Sequence, residues 1–244
     1  MQNAAMTSNH PACCSAIEPA WPFNDALPGI VMRSCQFDPS RLTPNDFALT
    51  AIAAPSSIQR SVAKRQTEFL AGRLCAREAL QTLTGIPNVP GLHEDRAPIW
   101  PEGICGSISH SHGLASALVA SHTHWRGLGL DLETLLPASR AQRLAKEILT
   151  PAELNRLGSL DPSQYAERIT LTFSIKESLF KALYPLVGQR FYFQDAELLN
   201  VDSNGRARLR LLLDLSREWH AGRELGGNFC YFQERLLSLV AIPA

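Results

Sequence analysis

Apolar positions along the chain recur with two periods, one of about two residues and one of about three to four, and the switches between them predict the elements. The first strand-like run is Gly29 to Phe37. After a segment with Pro, Asp and Ser, Gln59 to Thr84 reads as a long helix ended by Gly85 and Pro87. A Pro-rich loop, Asn88 to Gly103, separates it from three strand-like runs at Ile104 to Ser109, Leu114 to Ser121 and Gly127 to Glu133. A turn rich in His and Ser, Ser109-His110-Ser111-His112-Gly113, joins the first two of these as a hairpin with polar groups at its tip.

Beyond Pro137 the pattern turns helical, and Thr150-Pro151-Ala152-Glu153 carries an N-cap, a first-turn proline and a capping-box acid. A second long helix spans about Ser163 to Leu186, ending before Gly188. Strand-like runs at Arg190 to Leu199, Arg206 to Leu213 and Asn228 to Ala241 close the chain, with a hairpin turn at Asn204-Gly205 and a helix expected near Leu215 to Leu225. Residues 1–28 lack periodicity and read as a flexible N-terminal arm. The layout predicts an α+β protein of two halves meeting near Arg126, each with a long helix and antiparallel strands. The boundaries this implies are 29–126 and 127–244.

Composition narrows the class. With 45% apolar and 19% charged residues the chain can bury a core. The 23 Lys and Arg balance the 23 Asp and Glu, so no global basic field draws it onto nucleic acid or an anionic membrane. No apolar run approaches the roughly 20 residues a membrane span requires, and no leader is evident, so a cytoplasmic location is expected. Six cysteines lack C-x-x-C spacing and read as free thiols.

Candidate chemistry begins with Gly129-Leu130-Asp131-Leu132-Glu133. Strand periodicity sends both carboxylates to one face and both leucines to the other. Two acids in one small volume repel unless a cation intervenes, and hard oxygen ligands suit Mg²⁺. The plain alternative is an exposed acidic strand end. On the second long helix Glu177 and Lys181 stand one turn apart. A surface ion pair would explain them, but this helix is apolar around most of its circumference and such helices are buried. On the first long helix Arg73 falls in the apolar stripe with Val62, Phe69, Leu80 and Leu83, so its guanidinium either pairs structurally or meets a phosphate. His110, His112, His122 and His124 lack the spacing and companions of a zinc site. One histidine near a phosphate is the simpler role, and His122 and His124 read as exposed turn residues. No Walker loop, G-x-G-x-x-G, G-x-S-x-G or H-E-x-x-H is present.

The run Gly129 to Glu133, followed by Phe173-Ser174-Ile175-Lys176-Glu177-Ser178-Leu179-Phe180-Lys181, resembles the paired signatures of 4'-phosphopantetheinyl transferases, G-[IV]-D-[IVL]-E and W-[ST]-x-K-E-[AS]-x-x-K. Phe173 replaces the usual Trp and Leu130 the usual Ile or Val. Upstream, Ala71 to Leu80, Arg96-Ala97-Pro98-Ile99-Trp100-Pro101 and Gly106 to Ser111 resemble the branch typified by enterobactin synthase component D. The resemblance covers roughly residues 60–190.

It implies a monomer of two pseudo-symmetric α+β lobes with coenzyme A between them, Mg²⁺ as cofactor, and acyl, peptidyl or aryl carrier proteins as partners. It implies Asp131, Glu133 and Glu177 as Mg²⁺ ligands; Arg73, Arg96, Ser109 and His110 as contacts of the 3'-phosphate and nearby groups; and Lys181 at the pyrophosphate. Lys176 is assigned either to the same anion-binding set or to a structural pair. Glu177, or a water it orients, would deprotonate the acceptor serine, with Lys181 and Asp131 completing the catalytic group. The rival readings are a non-catalytic module that binds coenzyme A or a carrier, and a metal-dependent phosphodiesterase acting on coenzyme A.

Overall fold

The computed structural model describes residues 10–244. Strands β1 (Glu18–Pro19) and β2 (Val31–Gln36) are followed by the short helices α1 (Asp46–Thr50) and α2 (Ser56–Gln59) and by the long helix α3 (Ala63–Thr84). The turn at Arg60 to Val62 breaks the single helix expected from Gln59. Gly85, with φ of 77°, ends α3 by donating to Gln81 O, because the left-handed conformation costs glycine nothing. A small hairpin, β3 (Gly91–Leu92) and β4 (Pro98–Ile99), leads to β5 (Ile104–Ser111) and β6 (Leu114–Ser121). These strands form an antiparallel sheet in the order β1-β2-β6-β5, separate from the β3-β4 hairpin. β6 is buried on both faces, between the α3 side and the second half of the chain, which explains its unbroken small and apolar run.

The second half starts with β7 (Trp125–Glu133), then α4 (Ala138–Ile148), α5 (Pro151–Leu157) and α6 (Tyr165–Val187). The capping box at Thr150 and Glu153 forms as its residues predict. β8 (Ala196–Val201), β9 (Arg206–Leu211), β10 (Glu224–Phe232) and β11 (Arg235–Pro243) complete an antiparallel sheet in the order β7-β11-β10-β9-β8. The protein is thus α+β, with small antiparallel sheets packed against helices.

Four layers result. α3 covers one face of the first sheet through Leu70, Leu74 and Cys75 against Cys35, Ala115 and Ala117. The opposite face, with Met32, Leu114 and Leu118, packs on Leu128, Leu130, Leu132, Leu237 and Leu239 of the second sheet. α6 closes the far side through Ile175, Leu179 and Leu183. Burying these leucines, at about 2 kcal/mol each, is the main force joining the layers.

Further expectations change: the strand expected from Arg190 begins only at Ala196, after a short 3-10 turn at Phe193–Asp195. No helix forms over Leu215 to Leu225: the Leu215 and Ser216 amides donate forward to Trp219 O, opposite to the helical sense, and Gly222 turns at φ of 89° before β10 begins. The apolar run from Asn228 is not one strand, because Gln233 and Glu234, at φ of 47° and 62°, turn it into the β10-β11 hairpin. The arm expected over residues 1–28 lies outside the described residues for its first nine, and from His10 onward it is held rather than loose. Cys13 and Cys14 are buried in the α3 core, β1 pairs with β2, and Asp25 forms an ion pair with Arg206 at 2.7 Å. Hydrogen bonds and core contacts fix it where periodicity was absent. All six cysteines are free thiols. Among the described residues no helix is long and apolar enough to cross a membrane.

Candidate active site

The site is assembled by the alternation of β7. Its even positions, Leu128, Leu130 and Leu132, enter the core between the two sheets. Its odd positions face α6. A β-carbon on Gly129 would lie 1.8 Å from Ser178 O, and one on Gly127 would lie 2.3 Å from Ala182 O, so only glycine lets the helix rest directly on the strand. The next two odd positions are Asp131 and Glu133, delivered by that close approach to the turn of α6 that carries Glu177 and Lys181.

Asp131 is 4% exposed. Lys181 Nζ donates to Asp131 Oδ1 at 2.7 Å and to Leu130 O at 2.9 Å. Ser109 Oγ donates to the same Oδ1 at 3.2 Å and accepts from the Leu132 amide at 3.0 Å. Ser107 Oγ accepts from the Leu130 amide at 2.9 Å. Two serine hydroxyls of β5 therefore join the edge of the first sheet to the edge of the second. Asp131 Oδ2 is buried and has no hydrogen-bond partner.

Burial pushes the Glu133 carboxyl up to about 7, and the neighbouring charges of Asp131 and Glu177 add to the shift. Burial also raises Glu177, with Asp131 contributing and Lys181 opposing. Three carboxylates thus sense one another around one ammonium group.

On the other face of β5, His110 meets α3. Arg65 donates to His110 Nε2 at 3.1 Å, which leaves the ring proton on Nδ1, 3.7 Å from Glu68 Oε2. Burial holds His110 below its ordinary value, with Glu68 opposing and Arg65 and Lys181 adding to the depression. Arg73 is 5% exposed; its guanidinium lies 4.7 Å from the Phe69 ring centroid and donates to Gly91 O at 3.1 Å, while its Nε has no partner. Desolvation lowers it to about 10. A cleft of about 270 Å³ is lined by Arg96, Trp100 and Ser107 from the first half of the chain and by Glu177, Lys181, Tyr184 and Arg190 from the second, among others.

Of the residues singled out in the sequence, Asp131, Glu133, Glu177, Lys181 and Ser109 are brought together; His110 faces α3 from the other side of β5, Arg73 is bonded to Gly91 O, and Arg96 stands in the adjoining cleft. Lys176 does not join them. It is 2% exposed, and its ammonium donates to Glu153 at 2.7 Å, Ile148 O at 2.9 Å and Phe193 O at 2.8 Å, which uses all three protons. Of its two assignments, the structural pair is the one the geometry supports. Arg65 was not singled out, because a charged residue in the first turn of a helix has the pattern of a solvated one. Arg190 and Tyr184 also lacked a signal, lying where an apolar helix ends.

Similarity to known proteins agrees with the architecture. Residues 53–120 match the family model of the 4'-phosphopantetheinyl transferase N-terminal domain, and residues 127–238 match that of the 4'-phosphopantetheinyl transferase superfamily. Enterobactin synthase component D of Escherichia coli O157:H7 is 37% identical over 154 residues, which cover 63% of this chain and 71% of that protein. The chain belongs to the 4'-phosphopantetheinyl transferase superfamily. Its likeness extends to 4'-phosphopantetheinyl transferase PptT of Mycobacterium tuberculosis, 34% identical over 208 residues covering 82% and 84% of the two chains. 4'-Phosphopantetheinyl transferase Npt of Nocardia iowensis is 34% identical over 150 residues, covering 62% and 66%. Neither rival reading, a non-catalytic binding module or a phosphodiesterase, finds support in these likenesses.

Among the described residues no group of three or more His, Cys, Asp or Glu side chains stands close enough to hold a metal ion as they are now placed. The donor chemistry nonetheless fits a hard divalent cation. Asp131 Oδ2 is buried and unpartnered, two further carboxylates lie within electrostatic reach, and the Lys181 ammonium supplies positive charge at Oδ1.

Proposed function

We propose that the protein transfers the 4'-phosphopantetheine group of coenzyme A to a serine hydroxyl of an acyl, peptidyl or aryl carrier protein, working as a cytoplasmic monomer and releasing adenosine 3',5'-bisphosphate. The observation that carries this reading is the convergence of Asp131, Glu133, Glu177 and Lys181 at the β7-α6 contact, beside a cleft rimmed by arginines. A module that only binds has no need of three desolvated carboxylates facing an ammonium, whose assembly is costly.

Asp131, Glu133 and Glu177 would hold Mg²⁺, which would neutralise charge on the pyrophosphate oxygens as the transferred phosphorus passes between oxygens. Lys181, still 28% exposed on its side chain, can turn from Asp131 Oδ1 to a pyrophosphate oxygen. Arg65 and His110 would bind the 3'-phosphate end, with the neutral His110 ring donating a hydrogen bond, while the Ser109 hydroxyl, engaged by Asp131 and the Leu132 amide on the opposite face of β5, positions Asp131 instead. Arg73 would reach the same group by giving up its bond to Gly91 O, and its unpartnered Nε supports that role. Arg96 would reach phosphate or ribose oxygens from the cleft rim. The serine oxygen forms the new P–O bond, the bond to the bisphosphate breaks, and the serine proton passes to Glu177 or to a water it orients.

Chromatography of coenzyme A mixtures tests the reading. Adenosine 3',5'-bisphosphate should appear only when Mg²⁺ and an apo carrier are both present. Its release without a carrier would support phosphodiester cleavage instead, and binding without any turnover would support a passive module.

A further inference from the structure

The β3-β4 hairpin belongs to the first half of the chain, yet its tip is fastened to the second. Asp95 Oδ2 accepts a hydrogen bond from Tyr184 Oη at 2.6 Å, across the cleft and one turn beyond Lys181 on α6. The other oxygen, Oδ1, accepts from the Ala97 amide at 3.0 Å. The Ala97 O and His93 O acceptors close the same tip, taking bonds from the His93 and Arg96 amides at 2.9 and 3.0 Å. Between these bonds Arg96 is held at φ of 74°, a left-handed conformation that an arginine adopts only when its surroundings impose it. Tyr184 is itself fixed, stacked on Phe180 at 5.1 Å between centroids, with the Arg190 guanidinium 5.8 Å from its ring.

We infer that Asp95 and Tyr184 form a latch across the cleft whose work is to position Arg96, and through it the nucleotide end of coenzyme A. The inference rests on the functional reading above, and it adds two residues that need not touch the reacting atoms. One carboxylate does two things: Oδ1 shapes the tip into the turn that sets Arg96 on the rim of the cleft, and Oδ2 ties that tip to α6 one turn from Lys181. Arg96 forms no salt bridge among the described residues, so its charge is free for an anionic ligand. With the latch open, the tip loses its hydrogen bond to α6 and Arg96 must be ordered by the substrate itself, which weakens binding.

The test uses Tyr184→Phe, which keeps the ring stacking and removes only the hydroxyl, and Asp95→Asn, each alone and combined with Arg96→Ala. Titration calorimetry gives the Kd for coenzyme A, and carrier modification gives kcat and KM. Each latch variant should weaken coenzyme A binding and raise its KM three- to tenfold, with kcat changed less than twofold. In the Arg96→Ala background the same changes should have almost no further effect, which a general loosening of the fold would not produce. Unchanged affinity in Tyr184→Phe and Asp95→Asn, or full additivity with Arg96→Ala, would overturn the inference. If the wild type binds coenzyme A and shows this pattern of Kd values but modifies no carrier, the transfer reading fails while the latch stands. Absence of coenzyme A binding by the wild type overturns both.

Discussion

Lys181 Nζ lies 2.7 Å from Asp131 Oδ1, while Oδ2 of the same carboxylate is buried without a partner. A buried carboxylate oxygen without a partner is costly to keep, which is why Asp131 is central to the proposed site. The ammonium and the open oxygen together make this residue the point where the charge of the site is decided.

Asp131→Asn keeps the shape and removes the charge. Carrier modification should fall by at least about 100-fold, in line with losing a main electrostatic contact at a reacting centre. The circular dichroism spectrum should be retained. Rates measured at several Mg²⁺ concentrations check the role: a variant as fast as the wild type, with the same Mg²⁺ dependence, contradicts it.

Glu133 makes stability depend on pH. Its folded value of about 7 lies above its ordinary 4.5, so between these values the folded protein holds a proton that the unfolded chain has lost. The resulting penalty is absent below pH 4.5, grows as pH rises and is complete above about pH 7. In chelator, Glu133→Gln should therefore be more stable than the wild type by roughly 1–3 kcal/mol at pH 8, with no difference near pH 4. Urea unfolding at the two pH values measures it. Added Mg²⁺ should shrink the gap at pH 8 by stabilising the wild type more than the variant, which lacks one of the three carboxylates.

Lys176 and Glu153 form a buried pair at 2.7 Å, and Glu153 also accepts from the Thr150 and Leu198 amides. Lys176→Met leaves that carboxylate uncompensated and should cost about 3–5 kcal/mol. The folded fraction should keep its KM for coenzyme A. A raised KM in a protein of unchanged stability would return Lys176 to the substrate site.

Gly129→Ala tests the contact that places α6. The added methyl would collide with Ser178 O, a backbone atom that cannot swing aside, so the helix must shift. A loss of about 3 kcal/mol of stability and most of the transfer activity is expected. Thermal unfolding and carrier modification measured together would show both. Full activity would mean that the β7-α6 distance is not critical.

Much of this was legible in the residues because two simple periods meet there. Alternation along β7 placed Asp131 and Glu133 together, and helical spacing put Glu177 and Lys181 on a shared face. The same alternation also contained the reason for Gly127 and Gly129, which becomes visible only when α6 is known to lie against them. Lys176 was ambiguous because its partners, Glu153 and two carbonyls, are distant in sequence. Residues 10–28 look unstructured because they are held by pairing to β1-β2 and by the Asp25 to Arg206 contact, neither of which has a local period. The segment at Leu215 to Leu225 has apolar residues at helical intervals, but Trp219 uses its carbonyl to close a turn. Asp95 and Tyr184 give no signal separately; their meaning lies in the 2.6 Å between them.

The most direct test of the central claim is the mass of an apo carrier protein after incubation with this protein, coenzyme A and Mg²⁺, over a panel of fatty-acid, siderophore, peptide-synthetase and polyketide carriers. The account predicts that at least one carrier gains a single phosphopantetheine on its acceptor serine, and that the gain is lost with Asp131→Asn. Carriers that all keep their apo mass, with coenzyme A intact, would contradict it.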